Sequence, residues 1–199
     1  MKKKIFFIAL ILLQGFVVLS QVYIPLESRA FSVDSIASFS LANVGGSAEH
    51  IDASSKSILV ITFLSPECPV CKNYSGKLVE YKKKYADEVS FVGIIPGSFE
   101  ANDVKEFQKT YMPSWTLLRD TALQLTHYLH GEVTPEVLVI DNKDGVLIYK
   151  GAIDDWMVAL GKTRNHISNH YLDMAINNFI NNKPAIPFTK PVGCLINDF

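Results

Sequence analysis

The sequence predicts an α/β fold, a central mixed β-sheet flanked by helices on both faces. Three observations lead there. Ile58-Leu59-Val60-Ile61 is a continuous apolar and β-branched run, as expected of a strand covered on both sides. It feeds a segment that places Val70, Tyr74, Leu78, Tyr81 and Tyr85 at steps of four, four, three and four residues, the spacing of one helical face. A second strand and helix follow, then a hairpin, and that alternation implies a mixed sheet with helices on either side.

Taken in order, Gln21 to Ser57 carries weak signals: Phe39-Ser40-Leu41-Ala42 suits a short strand, and Gly45-Gly46-Ser47 a flexible turn. This stretch, residues 21–56, is expected to be an N-terminal extension with a hairpin. The strand Ser57 to Leu64 opens the main domain, expected to span 57–181. Its helix carries Lys72, Lys77, Lys82, Lys83 and Lys84 on the remaining faces, the last three suiting the negative C-terminal end of the helix dipole. A second apolar run, Val89 to Ile95, ends at Pro96-Gly97, and Val104, Phe107 and Tyr111 follow at helical spacing. Trp115 to Leu118 reads as a short strand and Thr121 to His130 as a short helix with Leu125 and Tyr128 inside. Val137 to Ile140 and Val146 to Tyr149 flank the turn-rich Asp141-Asn142-Lys143-Asp144-Gly145, a β-hairpin pattern. A last amphipathic helix is expected near Ser168 to Asn181. Residues 182–199 form a tail expected to be irregular from Pro184, because Pro184, Pro187 and Pro191 fall within eight residues.

Residues 1–20 stand apart. Met1-Lys2-Lys3-Lys4 is a basic start, Ile5 to Leu19 is apolar apart from Gln14 and Gly15, and Ser20 is small. The pattern is that of a secretory signal peptide cleaved between Ser20 and Gln21. The apolar run is shorter than the ~20 residues of a membrane span, so contact with a membrane is expected only through an uncleaved signal. The chain is therefore read as exported, periplasmic or secreted. Its removal takes away three lysines and no acid, which moves the formal charge from −1 to −4. No basic surface for nucleic acid is implied, and the remaining ~180 residues suit one domain with a full core.

The chemistry is carried by Phe63-Leu64-Ser65-Pro66-Glu67-Cys68-Pro69-Val70-Cys71. Pro69 fits the first helical position, where it has no N–H to lose, and this makes Cys68 the N-cap. A sulfur there faces orphan N–H groups and the positive end of the dipole, so its thiolate is favoured. Cys68 is the candidate nucleophile. Lys72 lies close enough in sequence to support the thiolate and Glu67 to oppose it. Two cysteines on one helical turn can close a disulfide that exchanges with another. A purely stabilising disulfide would close too short a loop to constrain the unfolded chain much. Half of a zinc site would need two more ligands at close spacing, and no second CxxC appears.

These residues resemble the thioredoxin-like superfamily, in particular its exported redoxin-domain and thiol:disulfide oxidoreductase branch. The resemblance covers roughly Phe39 to Asn181. It rests on the apolar strand feeding Cys68-Pro69-Val70-Cys71, on Val133-Thr134-Pro135-Glu136-Val137, and on Tyr149-Lys150-Gly151-Ala152-Ile153-Asp154 after the hairpin. It implies that Cys68 attacks a substrate disulfide and Cys71 resolves the mixed disulfide, the two forming the redox-active disulfide. It further implies a cis bond before Pro135, with the backbone of Thr134 pairing with an extended substrate. Partners would be protein thiols or disulfides together with a redox partner that recharges the couple, and no cofactor or metal is expected. The sequence departs from thioredoxin at Glu67, where a tryptophan is usual, and at Thr62, where thioredoxin has a buried acid. Both bear on proton transfer at Cys71. Three cysteines leave Cys194 without a mate once Cys68 and Cys71 pair; it is a buried small hydrophobe, a second resolving thiol or a link to a partner.

Two other functions compete. Ser65-Pro66-Glu67-Cys68 resembles the peroxiredoxin Thr/Ser-x-x-Cys, but Ile61 stands where a proline belongs and no matching arginine is evident. A copper-binding protein of the Sco type is the other, since Cu(I) favours thiolates and His166 and His170 are spaced to chelate from one helical turn. The Sco pattern, however, has three residues between its cysteines. Gly161-Lys162-Thr163 is no phosphate loop, because Trp156 occupies the place of the first glycine.

Overall fold

The computed structural model describes residues 31–53 and 55–196. The expected signal peptide and its cleavage point lie outside these residues. Among the described residues, no helix is long and apolar enough to cross a membrane.

The elements run α1 (Val33–Ser38), β1 (Ser40–Asn43), β2 (Ala48–His50), β3 (Ile58–Phe63), α2 (Pro69–Lys84), β4 (Val89–Pro96), α3 (Ala101–Tyr111), β5 (Thr116–Asp120), α4 (Gln124–Tyr128), β6 (Val133–Thr134), β7 (Glu136–Asp141), β8 (Val146–Gly151), β9 (Met157–Ala159), β10 (Lys162–Thr163), α5 (Tyr171–Ile180) and β11 (Cys194–Leu195). Seven strands form one mixed sheet in the order β2-β1-β5-β4-β3-β7-β8. β3, β4 and β5 run parallel, while β7 lies antiparallel to β3 and β8 antiparallel to β7.

All six residues of β3 are buried, in keeping with its apolar run. Alternation along the strand divides them between two cores. Ile58 and Val60 join Val70, Tyr74 and Leu78 of α2, Val104 and Phe107 of α3, and Leu172 and Ile176 of α5. Leu59, Ile61 and Phe63 meet Ile36 of α1 and Leu125 of α4 on the opposite face. The mixed sheet with helices on both sides is thus built as the sequence predicts, and the helical face Val70-Tyr74-Leu78-Tyr81-Tyr85 is buried throughout.

Several expectations are corrected in detail. The strand read from Trp115 to Leu118 is Thr116–Asp120, with Trp115 turned into the core beside Phe91. The helix read from Thr121 to His130 is reduced to Gln124–Tyr128, because the buried Asp120 carboxylate accepts from Thr126 N and Thr126 Oγ1, both at 2.7 Å, and holds the preceding residues in a turn. The last helix begins at Tyr171 rather than Ser168, since Ser168 N and Asn169 Nδ2 donate to the Asp155 carboxylate instead of starting a helical turn. Helix α1 carried no sequence signal strong enough to announce it; Ser32 caps it by accepting from Ser35 N at 3.1 Å.

The C-terminal residues, expected to be irregular, contain one ordered exception. Past Pro191 no proline removes a ladder donor, and Cys194–Leu195 pairs antiparallel with β6.

Burial of α2 against β3 carries a direct test. Leu78 is fully buried, so Leu78→Ala is expected to cost about 2–5 kcal/mol in urea unfolding of the reduced protein, whereas Lys83→Ala on the exposed side should stay within about 0.5 kcal/mol.

Candidate active site

The site lies where β3 leaves the sheet. Leu64 N still donates to Ile94 O at 2.8 Å, holding the chain to β4 for one more residue. Ser65 and Pro66 then turn it, and α2 begins at Pro69 with Cys68 as N-cap in an extended conformation. The register of β7 on β3 sets Phe63 opposite Glu136. Two residues before Glu136 stands Thr134, whose peptide bond to Pro135 is cis.

In its thiol form Cys68 donates to Thr134 O at 3.2 Å. Cys71, one turn into the helix, accepts from Ser65 N at 3.4 Å. Both cysteines are free thiols and buried, with Cys68 only 1% exposed. Cys194, half-buried on β11, is the third member of the cluster.

The three sulfurs titrate apart. Hydrogen bonding from the Cys71 thiol is the largest influence on Cys68 and lowers its pKa to about 4; burial opposes this, and the Cys194 thiol supplies a second donor. Cys71 is pushed well above the ordinary thiol range, first by burial and then by its bond to Cys68 and the charge there. Cys194 is raised to about 12 by burial and by the same sulfur. One thiolate held by two thiols is the ground state this arrangement favours.

The groups proposed from sequence to tune Cys68 behave differently. Lys72 Nζ lies over the Tyr111 ring, 6.0 Å from its centroid, and Glu67 is exposed. Thr62 lies in β3 in place of thioredoxin's acid, fully buried, with no hydrogen-bond partner for Oγ1. Glu136, beside Pro135, is buried and paired with Lys150 at 3.7 Å. Burial raises its pKa and Lys150 opposes the rise.

A second polar node was missed in the sequence. Asp154 is buried and accepts from Tyr74 OH at 2.5 Å, from Trp156 N at 2.9 Å and from Lys77 Nζ. It ties the segment after β8 to α2 one turn beyond Cys71. Asp154 entered the sequence reading only as the last residue of the motif after the hairpin, and periodicity does not connect it to Tyr74 and Lys77 on α2.

Among the described residues, the features behind the rival functions do not converge on the cysteines. Ser65 Oγ accepts from Glu67 N at 3.3 Å, Arg119 donates to Phe99 O and Arg164 pairs with Asp155. His166 and His170 are both exposed and precede α5, so they do not share a helical turn. Among the described residues, no group of three or more His, Cys, Asp or Glu is placed to hold a metal ion.

No family model and no curated protein matches the sequence. Solved structures do. A hypothetical protein of Sinorhizobium meliloti superposes with a TM-score of 0.71 at 21% identity, covering 81% of this chain and 91% of its own. An uncharacterized conserved protein of Geobacillus kaustophilus gives 0.69 at 23%, with 81% and 88% covered. A secreted disulfide oxidoreductase of Mycobacterium tuberculosis, homologous to E. coli DsbE, gives 0.50 at 22%, with 57% and 83% covered. The fold is thioredoxin-like. Within this thioredoxin-like frame, Cys68 and Cys71 sit at the mouth of β3 and Thr134-Pro135 at the entry to β7.

Because the Cys71 thiol is the main stabiliser of the Cys68 thiolate, Cys71→Ala should raise the midpoint of thiolate absorbance at 240 nm in the reduced protein. Cys194→Ala should raise it less. The wild-type midpoint belongs far below the ~8.5 of a free cysteine, and the Cys68 contribution to stability of the reduced protein should accordingly be lost as pH falls through that midpoint.

Proposed function

We propose that the protein is an exported thiol:disulfide oxidoreductase acting on protein thiols or disulfides through the Cys68/Cys71 couple. The observation that carries this is the placement of the two thiols at the end of β3: Cys68 caps α2 with its sulfur against Thr134 O, and Cys71 lies buried one turn behind it. One is poised as a nucleophile and the other is held protonated behind it.

In the reducing direction, the Cys68 thiolate attacks one sulfur of a substrate disulfide. A Cys68–substrate bond forms, the substrate S–S bond breaks, and the other substrate sulfur leaves as a thiolate that takes up a proton. Cys68 then carries no charge. The hydrogen bond and Coulombic repulsion that kept Cys71 protonated are gone, so Cys71 becomes easier to ionise at the moment it is needed. It attacks Cys68 Sγ, the substrate is released with two electrons more, and the protein is left as the Cys68–Cys71 disulfide. A redox partner with its own dithiol or disulfide resets the couple. The reverse sequence oxidises a substrate dithiol.

Thr134, with its carbonyl already at Cys68, and Pro135 are the residues proposed to position the substrate. Export is supported by the leader-like residues 1–20 and is consistent with the secreted character of the mycobacterial neighbour.

The test is the reduction potential of the Cys68/Cys71 couple in glutathione buffers, measured with Cys194→Ser so that two thiols report. A reversible Cys68–Cys71 disulfide is expected. A potential below about −200 mV marks a reductant and one above about −150 mV a disulfide donor. Cys68→Ser should abolish turnover of a protein disulfide such as that of insulin. If no reversible Cys68–Cys71 disulfide forms, the reading fails.

A further inference from the structure

Residues 186–196 of the C-terminal tail are laid across the site. Thr189 N donates to Lys150 O at 3.1 Å, and Thr189 Oγ1 accepts from Ala152 N at 2.9 Å. Ile186 and Phe188 pack on the core that contains Cys68. Pro191 and Val192 close on Pro135, Ile153 and Tyr74, leaving a crevice of only about 10 Å³, room for about one water molecule.

Two glycines mark the closest approaches of backbone to backbone. A Cβ on Gly151 would lie 2.3 Å from Thr189 O, and one on Gly193 would lie 2.2 Å from Thr134 O. Beyond Gly193 the chain is an extended antiparallel strand, with Cys194 opposite Thr134, Leu195 opposite Val133, and Ile196 N donating to Glu132 O at 3.0 Å. Leu195 is 74% exposed; Cys194 and Ile196 on either side of it pack on the two cores, and the main chain is held by its ladder to β6. The edge taken is the one proposed for substrate, and the residue opposite Thr134 is a cysteine.

We propose that residues 193–196 are a tethered substrate strand, in which Cys194 exchanges disulfides with Cys68 and the strand must leave β6 before an external polypeptide can pair there. This rests on the proposed redox role of Cys68. The exchange needs no further reactant. Starting from the Cys68–Cys71 disulfide, Cys194 loses its proton and attacks Cys68 Sγ; the Cys68–Cys194 bond forms, the Cys68–Cys71 bond breaks, and Cys71 leaves with the electron pair and gains a proton. Starting from a mixed disulfide on Cys68, the same attack by Cys194 releases the substrate thiol and leaves the Cys68–Cys194 disulfide, so the tail thiol resolves as Cys71 does.

The experiment uses glutathione disulfide as probe on the full chain carrying Cys71→Ser. The expected product is protein lighter by two hydrogens, free of glutathione, with a Cys68–Cys194 link located by peptide mapping; the Cys71→Ser, Cys194→Ser double variant should instead retain glutathione on Cys68. A persistent glutathione adduct on Cys68 in both proteins overturns the tethered-strand proposal and leaves the redox reading intact. No adduct on Cys68 in the double variant sinks the redox reading itself. Occlusion is read separately by alkylation of Cys68 with iodoacetamide in Gly193→Val and in a chain ending at Val192. Each should react faster than wild type by roughly tenfold or more, as expected when an open population of about 10% or less becomes dominant. Equal rates in all three overturn the occlusion.

Discussion

Strand β3 is paired along both edges and covered on both faces, so its C-terminal end is held from every side, and the site is built by projecting from it. Phe63 faces Glu136 across an antiparallel ladder. Continuing forward on one strand and backward on the other brings the chain toward Cys68 to the level of Thr134 and Pro135. The 3.2 Å contact from Cys68 to Thr134 O is therefore a consequence of register. A one-residue slip would turn Thr62 and Val137 to the opposite face and separate Cys68 from its backbone partner.

On that rigid base the electrostatics are local. Cys68 has no side-chain bond capping the helix; what stabilises its charge is chiefly another thiol. A couple whose reduced form contains a stabilised thiolate gives up its disulfide more readily than one whose thiols are unperturbed, as the comparison of strongly and weakly oxidising CxxC proteins illustrates. The depressed Cys68 value thus pulls the potential upward. The absence of an acid at position 62 leaves proton movement at Cys71 to the change in charge on its neighbour.

The main sheet and α2 were legible because their signals are strong and local: an unbroken apolar run, a four-and-three spacing, a proline at the first helical position. The two cysteines and the Thr134-Pro135 step were legible as a motif. Helix α1 was not, since six residues with one buried isoleucine give too little periodicity. The relation of Cys194 to Cys68 was also hidden, because it depends on how the tail crosses the edge of β8 at Thr189, a contact 40 residues apart in sequence from Tyr149. Gly193 was its one clue, and a glycine's reason for being small is visible only when the opposing backbone is in place.

If residues 193–196 act as proposed, the anchoring of the tail at Thr189 bears on selectivity. A strand fastened a few residues from its docking edge competes at an effective concentration of the millimolar order. A free peptide that offers only main-chain pairing to β6 meets that competitor every time it arrives. Polypeptides that displace it must bring contacts beyond the ladder. A tail of this kind filters clients by total binding strength, while a small disulfide that needs no strand pairing is judged only on access to one sulfur.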